Sequence, residues 1–519
     1  MMDDRTARGA ASRRLDRRQV LGLAGGLATG VAALATVGCG DDGEVPPTPT
    51  PAEPSPGATS TPAGAGTPGA GSTPSPGATP ATDPGWKQPP VITSVNGLLA
   101  TTLVVRAGEV PHGSRTRWAI TINGMTPGPT LLVRPGDRLR IILDNQLAHS
   151  TNIHTHGLHV SPAGNADNPF IEIKAGEKFT YEMQLPADHP GGTFWYHPHL
   201  HHHVAEQLFA GMFGAIIVED AIDSLPELAR ATERLVLLHD TRDSNTEAGV
   251  TSATTMDQRD GREGDLVLVN GLANPTMILA TGTLEHWRIL NASPSRFYRL
   301  KLDGHSLLVI ARDGGRLAAP EPVEELVLVP GERTEVLVQP AREGSYRLRS
   351  LPVSRGAMGT SAEIGLATAS VLAGSGGQAP TPTRLAALTD VTALKVTSTR
   401  EVALEMQTGG GPPRFLVSGK AFDADRTDVR VKLGTVEDWV VRNIGPMDHP
   451  FHLHIWPFRV MEQSAPGPVP TGWKDVVNVP AGGFVRLRIP FEQIGGKTVF
   501  HCHILDHEDL GMMAVVEAD

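Results

Sequence analysis

Cysteine is nearly absent. Cys39 and Cys502 are the only two in 519 residues, which excludes a disulfide framework. Aromatic residues make up 5% of the chain, too few for a base-stacking platform. No dense Lys/Arg block occurs beyond the N-terminus and the net charge is −11, so the chain lacks the basic surface of a nucleic-acid binder. What is plentiful is apolar sequence: 40% of residues are hydrophobic, many in Val/Leu/Ile runs. The length exceeds one ordinary domain, and two to four are expected.

The N-terminus reads as a targeting segment. Arginines at 13, 14, 17 and 18 precede a Gly/Ala-rich apolar run over residues 20–38, long enough to span a bilayer but a poor permanent anchor. Arg17-Arg18-Gln19-Val20-Leu21 resembles a twin-arginine export signal, an address read by export machinery. Thr36-Val37-Gly38-Cys39 resembles a lipoprotein cleavage box. Three outcomes stay open: acylation and lipid tethering at Cys39, ordinary cleavage near Gly38, or retention as an anchor. Each delivers the chain to the periplasm or to the outer face of the cytoplasmic membrane. From residue 46 to 85 the Pro/Thr/Gly-rich sequence has no periodicity and almost no charge. It cannot repay its ordering entropy, and it implies a disordered linker, placed within residues 40–90.

From Val91 onward the texture is β. Segments such as "TRWAITINGMTPGPTLLVRPGDRLRIILDNQL", "GDLVLVNGLANPTMILATGTLEHWRILNAS" and "RFLVSGKAFDADRTDVRVKLGTVEDWVVRNIG" alternate short apolar runs with Gly, Pro and Asn turns. "TPGPTLLVRPGDRLRIILDNQ" loosely parallels "TDVRVKLGTVEDWVVRN". An all-β chain of repeated sandwich units is expected, with domains over residues 91–220, 221–375 and 376–519. Helices are expected to be minor.

The histidine-rich segments fall only in the first and third of these: "NIHTHGLH", "GTFWYHPHLHHH", "DHPFHLH" and "HCHILDHEDLGMM". Each repeats H-x-H. Side chains at i and i+2 of a strand leave the same face, roughly 6.6 Å apart. Four such pairs (His154/His156, His197/His199, His452/His454 and His501/His503) offer eight imidazoles, too many for one ion and suited to a cluster of several. Cys502 points away from its two histidine neighbours, and His449, His507 and Met512 remain to complete a site around its sulfur. Two imidazoles, a thiolate and a weak axial thioether are the ligands of a blue-copper electron-transfer centre. A single H-x-H is most often surface decoration or packing, and zinc is the commonest ion for a His/Cys set. Structural zinc, however, favours closed sites with C-x2-C spacing, absent here.

These segments resemble the four copper signatures of the three-domain multicopper oxidases, the laccase-like family: H-x-H-G, H-x-H, H-x-x-H-x-H and H-C-H-x3-H-x4-M, with every ligand position filled. "NGMTPGPTLLVRPGDRL", "GTFWYHPH" and "AGGFVRLRIPF" extend the likeness over about residues 95–519. The resemblance implies three cupredoxin-like Greek-key sandwiches and four copper ions, with a trinuclear cluster between the first and third domains. It implies that His449, Cys502, His507 and Met512 bind the type 1 ion and that His154 and His452 bind type 2. His156, His197 and His503 would hold one type 3 ion, and His199, His454 and His501 the other.

The implied reaction removes single electrons from a reducing substrate at type 1, passes them through Cys502 to His501 and His503, and reduces O2 to water at the cluster. In the family the histidine after the cysteine is usually at the solvent edge, which makes His507 the candidate electron-entry residue. Glu508 matches an acidic proton-relay residue of bacterial relatives, and Asp167 resembles a second carboxylate near the cluster. His201, His202 and His203 are expected to be exposed loop residues, His159 and His305 structural, and Trp195 and Phe451 packing. Three functions remain in view: an oxidase of phenols and aromatic amines, a metallo-oxidase for Cu(I), Fe(II) or Mn(II), and a non-catalytic copper-binding periplasmic protein. No Met-rich insert over the type 1 site is visible, and "SRGAMGTSAEIGLA" holds only Met358, which favours the first. A complete ligand set argues against the third.

Overall fold

The same asparagine device recurs three times along the chain. Asn145, Asn291 and Asn443 each close a strand (Arg138–Asn145, Glu285–Asn291 and Thr435–Asn443). Each buried side chain receives the backbone N–H two residues on and donates to two or more carbonyls across the following loop. An Asn side chain mimics a backbone turn in this way, and a buried amide must be satisfied. The repetition marks three copies of one architecture.

The computed structural model describes residues 85–357, 359–374, 377–407 and 413–519. The export signal, Cys39, most of the linker and Met358 lie outside the described residues. Within them the fold is six sheets in three pairs: three cupredoxin-like β-sandwiches. The first pair is built from strands between Val91–Thr93 and Gly214–Val218. The second runs from Thr232–Thr241 to Ile364–Leu372, the third from Val396–Gln407 to Met513–Ala518. Parallel and antiparallel pairings mix within each sandwich, as in Leu98–His112, which pairs antiparallel with Arg115–Ile122 and parallel with Arg138–Asn145. Each pair of sheets encloses its own core. Among the described residues the longest helices, Val204–Phe209 and Thr255–Asp260, have six residues. None is long and apolar enough to cross a membrane.

One expectation needs correcting. Residues 85–90, counted within the linker, are ordered against the second sandwich. Trp86 is buried in its core beside Leu228 and Val236. Gln88 Oε1 accepts from Leu235 N at 2.7 Å, and the Lys87 carbonyl accepts from Asn270 at 2.8 Å. An indole of this size contributes about 2–3 kcal/mol when buried, enough to hold a short extended segment down.

The three sandwiches share an apolar seam. Trp195, Val204 and Leu208 from the first pack with Leu235 and Leu290 from the second and Leu505 from the third. This seam lies directly beside the histidine-bearing strands.

Candidate metal centres

Strand register sorts the histidines. The edge strand His154–His156 runs antiparallel to Gly192–His197, with His154 opposite His197. In the third sandwich, His449–Leu453 lies between Gly496–Cys502 and Val476–Val479. There His452 stands opposite His501, and Phe451 opposite Cys502. Cross-strand partners share a face. His452 and His501 therefore leave on one side, toward the first sandwich, while Phe451 and Cys502 turn into the domain core with Met512 and Ile504. His199, His454 and His503 each sit just past the end of the strand that carries their H-x-H partner.

Eight buried imidazoles converge between the first and third sandwiches. His199 Nε2 and His454 Nε2 each lie 3.2 Å from His501 Nε2. His156, His197 and His503 form a second group, and His154, His156 and His452 a third, with ligand atoms within 4.8 Å of one another in each. The outer nitrogens of four rings are anchored. His154 Nδ1 is 2.9 Å from Asp167 Oδ2, His156 Nε2 is 3.0 Å from Asp475 Oδ1, and His197 Nδ1 and His452 Nδ1 are each 2.8 Å from the carbonyls of Pro198 and Asp475. Their inner nitrogens, His154 Nε2, His156 Nδ1, His197 Nε2 and His452 Nε2, are buried without a partner, and His503 has neither nitrogen bonded. Buried polar atoms in folded proteins are as a rule paired. Rings anchored behind and bare in front are the pattern of metal ligands.

Their protonation fits. Burial, followed by the charges of neighbouring imidazoles, lowers the pKa of His154, His156, His197, His452 and His454 well below the usual histidine value. Burial likewise lowers His199 to about 4 and His503 to about 3. At neutral pH these rings are uncharged, and where the outer nitrogen donates to its anchor, as in His154, His156, His197 and His452, the inner nitrogen keeps its lone pair.

The second centre lies behind the same strand. Cys502 Sγ is 3.4 Å from His449 Nδ1 and 3.8 Å from His507 Nδ1, and the two nitrogens are 3.3 Å apart. Met512 is fully buried in the same cluster. Burial pushes the Cys502 thiol up, so a thiolate there needs a cation beside it. Soft sulfur with two imidazoles suits copper. The residues fit both groups of ions.

His507 is not at a solvent edge. Its ring is fully buried, stacked on Phe415 at 4.1 Å, with Nε2 3.1 Å from the Arg259 carbonyl. The cause is the helix Thr255–Asp260 of the second sandwich, which lies across it. Strap residues Met256 and Asp260, with Gly261, also line a cavity of about 280 Å³ together with Phe297, Val353 and Arg355.

Both proposed carboxylates reach the histidines. Glu508 is fully buried, with Oε2 3.0 Å from His501 Nδ1 and Oε1 3.5 Å from His199 Nε2. Burial raises its pKa, but His501, His199 and His503 outweigh this and hold it at about 2. Asp167, beside His154, has the opposite balance: burial raises it to about 7 against a 2.8 Å hydrogen bond from Thr155 N.

The remaining residues are peripheral. His202 is exposed, while His201 and His203 are half-buried and belong to none of the groups. His159 Nδ1 lies 3.0 Å from the Ile455 carbonyl and His305 Nδ1 2.9 Å from that of Asp303. Trp195 stacks on His197 at 4.2 Å, and Phe451 packs in the third core. Sequence reasoning missed Asp475, Arg333 and the strap. Asp475 sits in "GWKDVVNV", a charged pair ahead of an apolar strand, which was the only signal.

Three family models described as multicopper oxidase match residues 104–222, 232–372 and 395–519. A relative described as multicopper oxidase mco of Staphylococcus haemolyticus is 30% identical over 404 residues, 76% of this chain and 83% of its own. Cell division protein FtsP of Escherichia coli is 30% identical over 421 residues, 78% and 86%. Among solved structures, the Campylobacter jejuni multicopper oxidase described as a metallo-oxidase aligns with a TM-score of 0.75 at 30% identity, covering 84% of this chain and 96% of that one. The laccase-like CueO of Ochrobactrum sp. aligns at 0.72 and 28% identity, over 83% and 100%.

Proposed function

Because this chain belongs to the multicopper oxidase family, we propose that it is a laccase-like oxidase. It couples one-electron oxidation of phenols or aromatic amines to four-electron reduction of O2 to water. The observation that carries this reading is the convergence of every expected histidine and cysteine ligand into buried groups, with bare nitrogens turned inward on His154, His156, His197 and His452.

His449, Cys502, His507 and Met512 would hold the type 1 ion, His154 and His452 type 2, and His156, His197, His503 and His199, His454, His501 the type 3 pair. Copper, when bound, supplies electron acceptance from the reductant and reduction of dioxygen. The chain supplies the rest. The seam around Trp195 and Leu505 excludes water from the histidines. Glu508, against His501 and His199, is the group that moves protons into the cluster. Asp167 fixes the His154 ring. The cavity lined in part by the strap, with Phe297, Val353 and Met256 on its wall, suits a small aromatic reductant. Its carboxylates Asp257, Asp260 and Glu263 are each held by an arginine, which disfavours a bare metal cation there. The N-terminal signal supports export beyond the cytoplasmic membrane, with Cys39 as the candidate lipid tether.

The Campylobacter jejuni relative keeps a metallo-oxidase reading in play. Copper loading, a visible spectrum and oxygen uptake with a phenol, Cu(I), Fe(II) and Mn(II) separate the two. Uptake is expected to be fastest with the phenol. Much faster uptake with a metal ion overturns the laccase-like reading, and copper binding without uptake points to a non-catalytic copper protein.

A further inference from the structure

The second sandwich supplies no histidine to either centre, yet one of its side chains touches the supports of several. Arg333 lies in the buried strand Arg333–Val338. Its guanidinium makes two parallel 2.6 Å bonds to the Asp475 carboxylate. Asp475 in turn accepts from His156 Nε2 at 3.0 Å through Oδ1 and from His452 Nδ1 at 2.8 Å through its carbonyl. Arg333 Nε donates to the Thr193 carbonyl at 3.0 Å, on the strand that ends in His197. Two residues earlier Gly331, at φ +85°, lies so close to His503 that a Cβ would meet its ring at 2.8 Å. Gly157, next to His156, is equally confined: a Cβ there would meet Arg333 Nη2 at 2.5 Å and Asp475 Oδ2 at 2.8 Å.

We infer that Arg333 is a positioning residue for the trinuclear cluster, reaching from the second sandwich to orient His156 and His452 through Asp475. This rests on the copper reading proposed above. Two features set the arrangement apart from ordinary interdomain glue. First, the bidentate fork fixes the plane of the carboxylate, so Oδ1 meets His156 Nε2 and leaves Nδ1 facing inward and bare. Second, Asp475 is itself locked at the backbone, where its N–H donates to Asp313 Oδ2 at 3.1 Å. Lys474 bridges Asp313 and Glu332 at 3.0 and 2.8 Å. The residues of the network are buried.

The test compares two buried arginines of the second sandwich, Arg333, which reaches both neighbouring sandwiches, and Arg316, which is paired within its own. Arg316 pairs with Glu335 and Asp223 and touches no histidine of the cluster. Arg333→Lys, Arg333→Met and the matching pair at Arg316 are loaded with copper and read by metal content, type 1 visible absorption and the type 2 electron paramagnetic resonance signal. The Arg333 variants are expected to keep the type 1 band, because that centre lies behind the strand, while copper affinity at the cluster falls about 10–100-fold and the type 2 signal changes shape. Arg333→Lys keeps the charge and so the fold, but loses the fork. The Arg316 variants are expected to unfold at lower temperature with a wild-type copper count. Full cluster occupancy and an unaltered type 2 signal in Arg333→Lys and Arg333→Met overturn the inference, as does equal copper loss at Arg316. A wild-type protein that takes up no copper overturns the functional reading instead.

Discussion

Cys502 and His501 are consecutive in the chain and serve different centres. The Cys502 sulfur lies 3.4 Å from His449 Nδ1, while His501 Nε2 lies 3.2 Å from both His199 and His454. The alternation of a strand produces this, since neighbouring side chains leave opposite faces. One peptide unit therefore separates the two groups of ligands. Cys502→Ser is expected to abolish the blue absorption and oxygen uptake with phenols, while the type 2 resonance of the cluster persists. A variant that stayed blue would place the sulfur outside the type 1 site.

Glu508 is poised differently from an ordinary buried carboxylate. It touches His501 and His199, and its interactions with them outweigh the burial that would raise its pKa. Glu508→Gln preserves volume and removes the charge. Steady-state oxygen uptake is expected to fall about 10²-fold, within the range for loss of a proton-transfer group, with the type 1 band and its rate of reduction by substrate unchanged. If both half-reactions slow equally, Glu508 is holding the fold rather than moving protons.

Asp167 accepts from His154 Nδ1 and from Thr155 N, so it fixes both the ring and its strand. Asp167→Ala is expected to weaken copper binding at the His154/His452 pair by about 10–100-fold. Titration with a copper chelator, followed by the type 2 resonance, measures this directly. Unchanged retention would make Asp167 a strand-end cap and nothing more.

The ligands were legible in the sequence because H-x-H and H-C-H report strand geometry directly. The three cores were legible because alternating runs and Asn-terminated strands such as "RIILDN" and "DWVVRN" carry the fold signal locally. Arg333 and Asp475 were not legible. They are 142 residues apart, and an Arg in "RTEVLV" looks like any strand-edge charge until the partner strand is in place. The burial of His507 was missed for the same reason: the Arg259 carbonyl that covers it belongs to another sandwich, and a backbone group leaves no mark in a motif.

The strap over His507 depends on Gly261, which sits at φ +80° where a Cβ would meet Ser295 Oγ at 2.5 Å and Ile504 Cγ2 at 2.6 Å. Gly261→Ala is expected to cost about 1–3 kcal/mol through backbone strain and to lift the Arg259 carbonyl off His507. The measurement is kcat/KM for a small and a bulky phenol. The ratio should shift toward the bulky one, with oxygen reduction by the pre-reduced enzyme unaltered. A uniform loss for both substrates would show that the strap is not part of the reductant's path.

Copper-free protein should lose stability in mild acid, and the sign can be worked through. Burial lowers His199, His189 and His239 to about 4, and His449 and His503 to about 3, against about 6.5 in an unfolded chain. Between those values the unfolded state binds more protons than the folded one, so stability rises with pH. Each such ring is worth up to about 1.4 kcal/mol per pH unit in that window. Asp167, raised by burial to about 7, and Asp475, raised to about 6, act in the opposite direction because they hold protons when folded. Burial raises Glu332 and Asp509 as well, but four such carboxylates against twelve lowered imidazoles among the described residues leave the histidines dominant. The midpoint of urea unfolding is expected to stay flat above pH 7 and fall steadily from pH 6.5 to 4.5. Copper should suppress most of that fall near its upper end, since a bound ion occupies the same lone pairs. A midpoint independent of pH across this range would mean that the imidazoles are protonated in the folded state and cannot be the ligands assigned here.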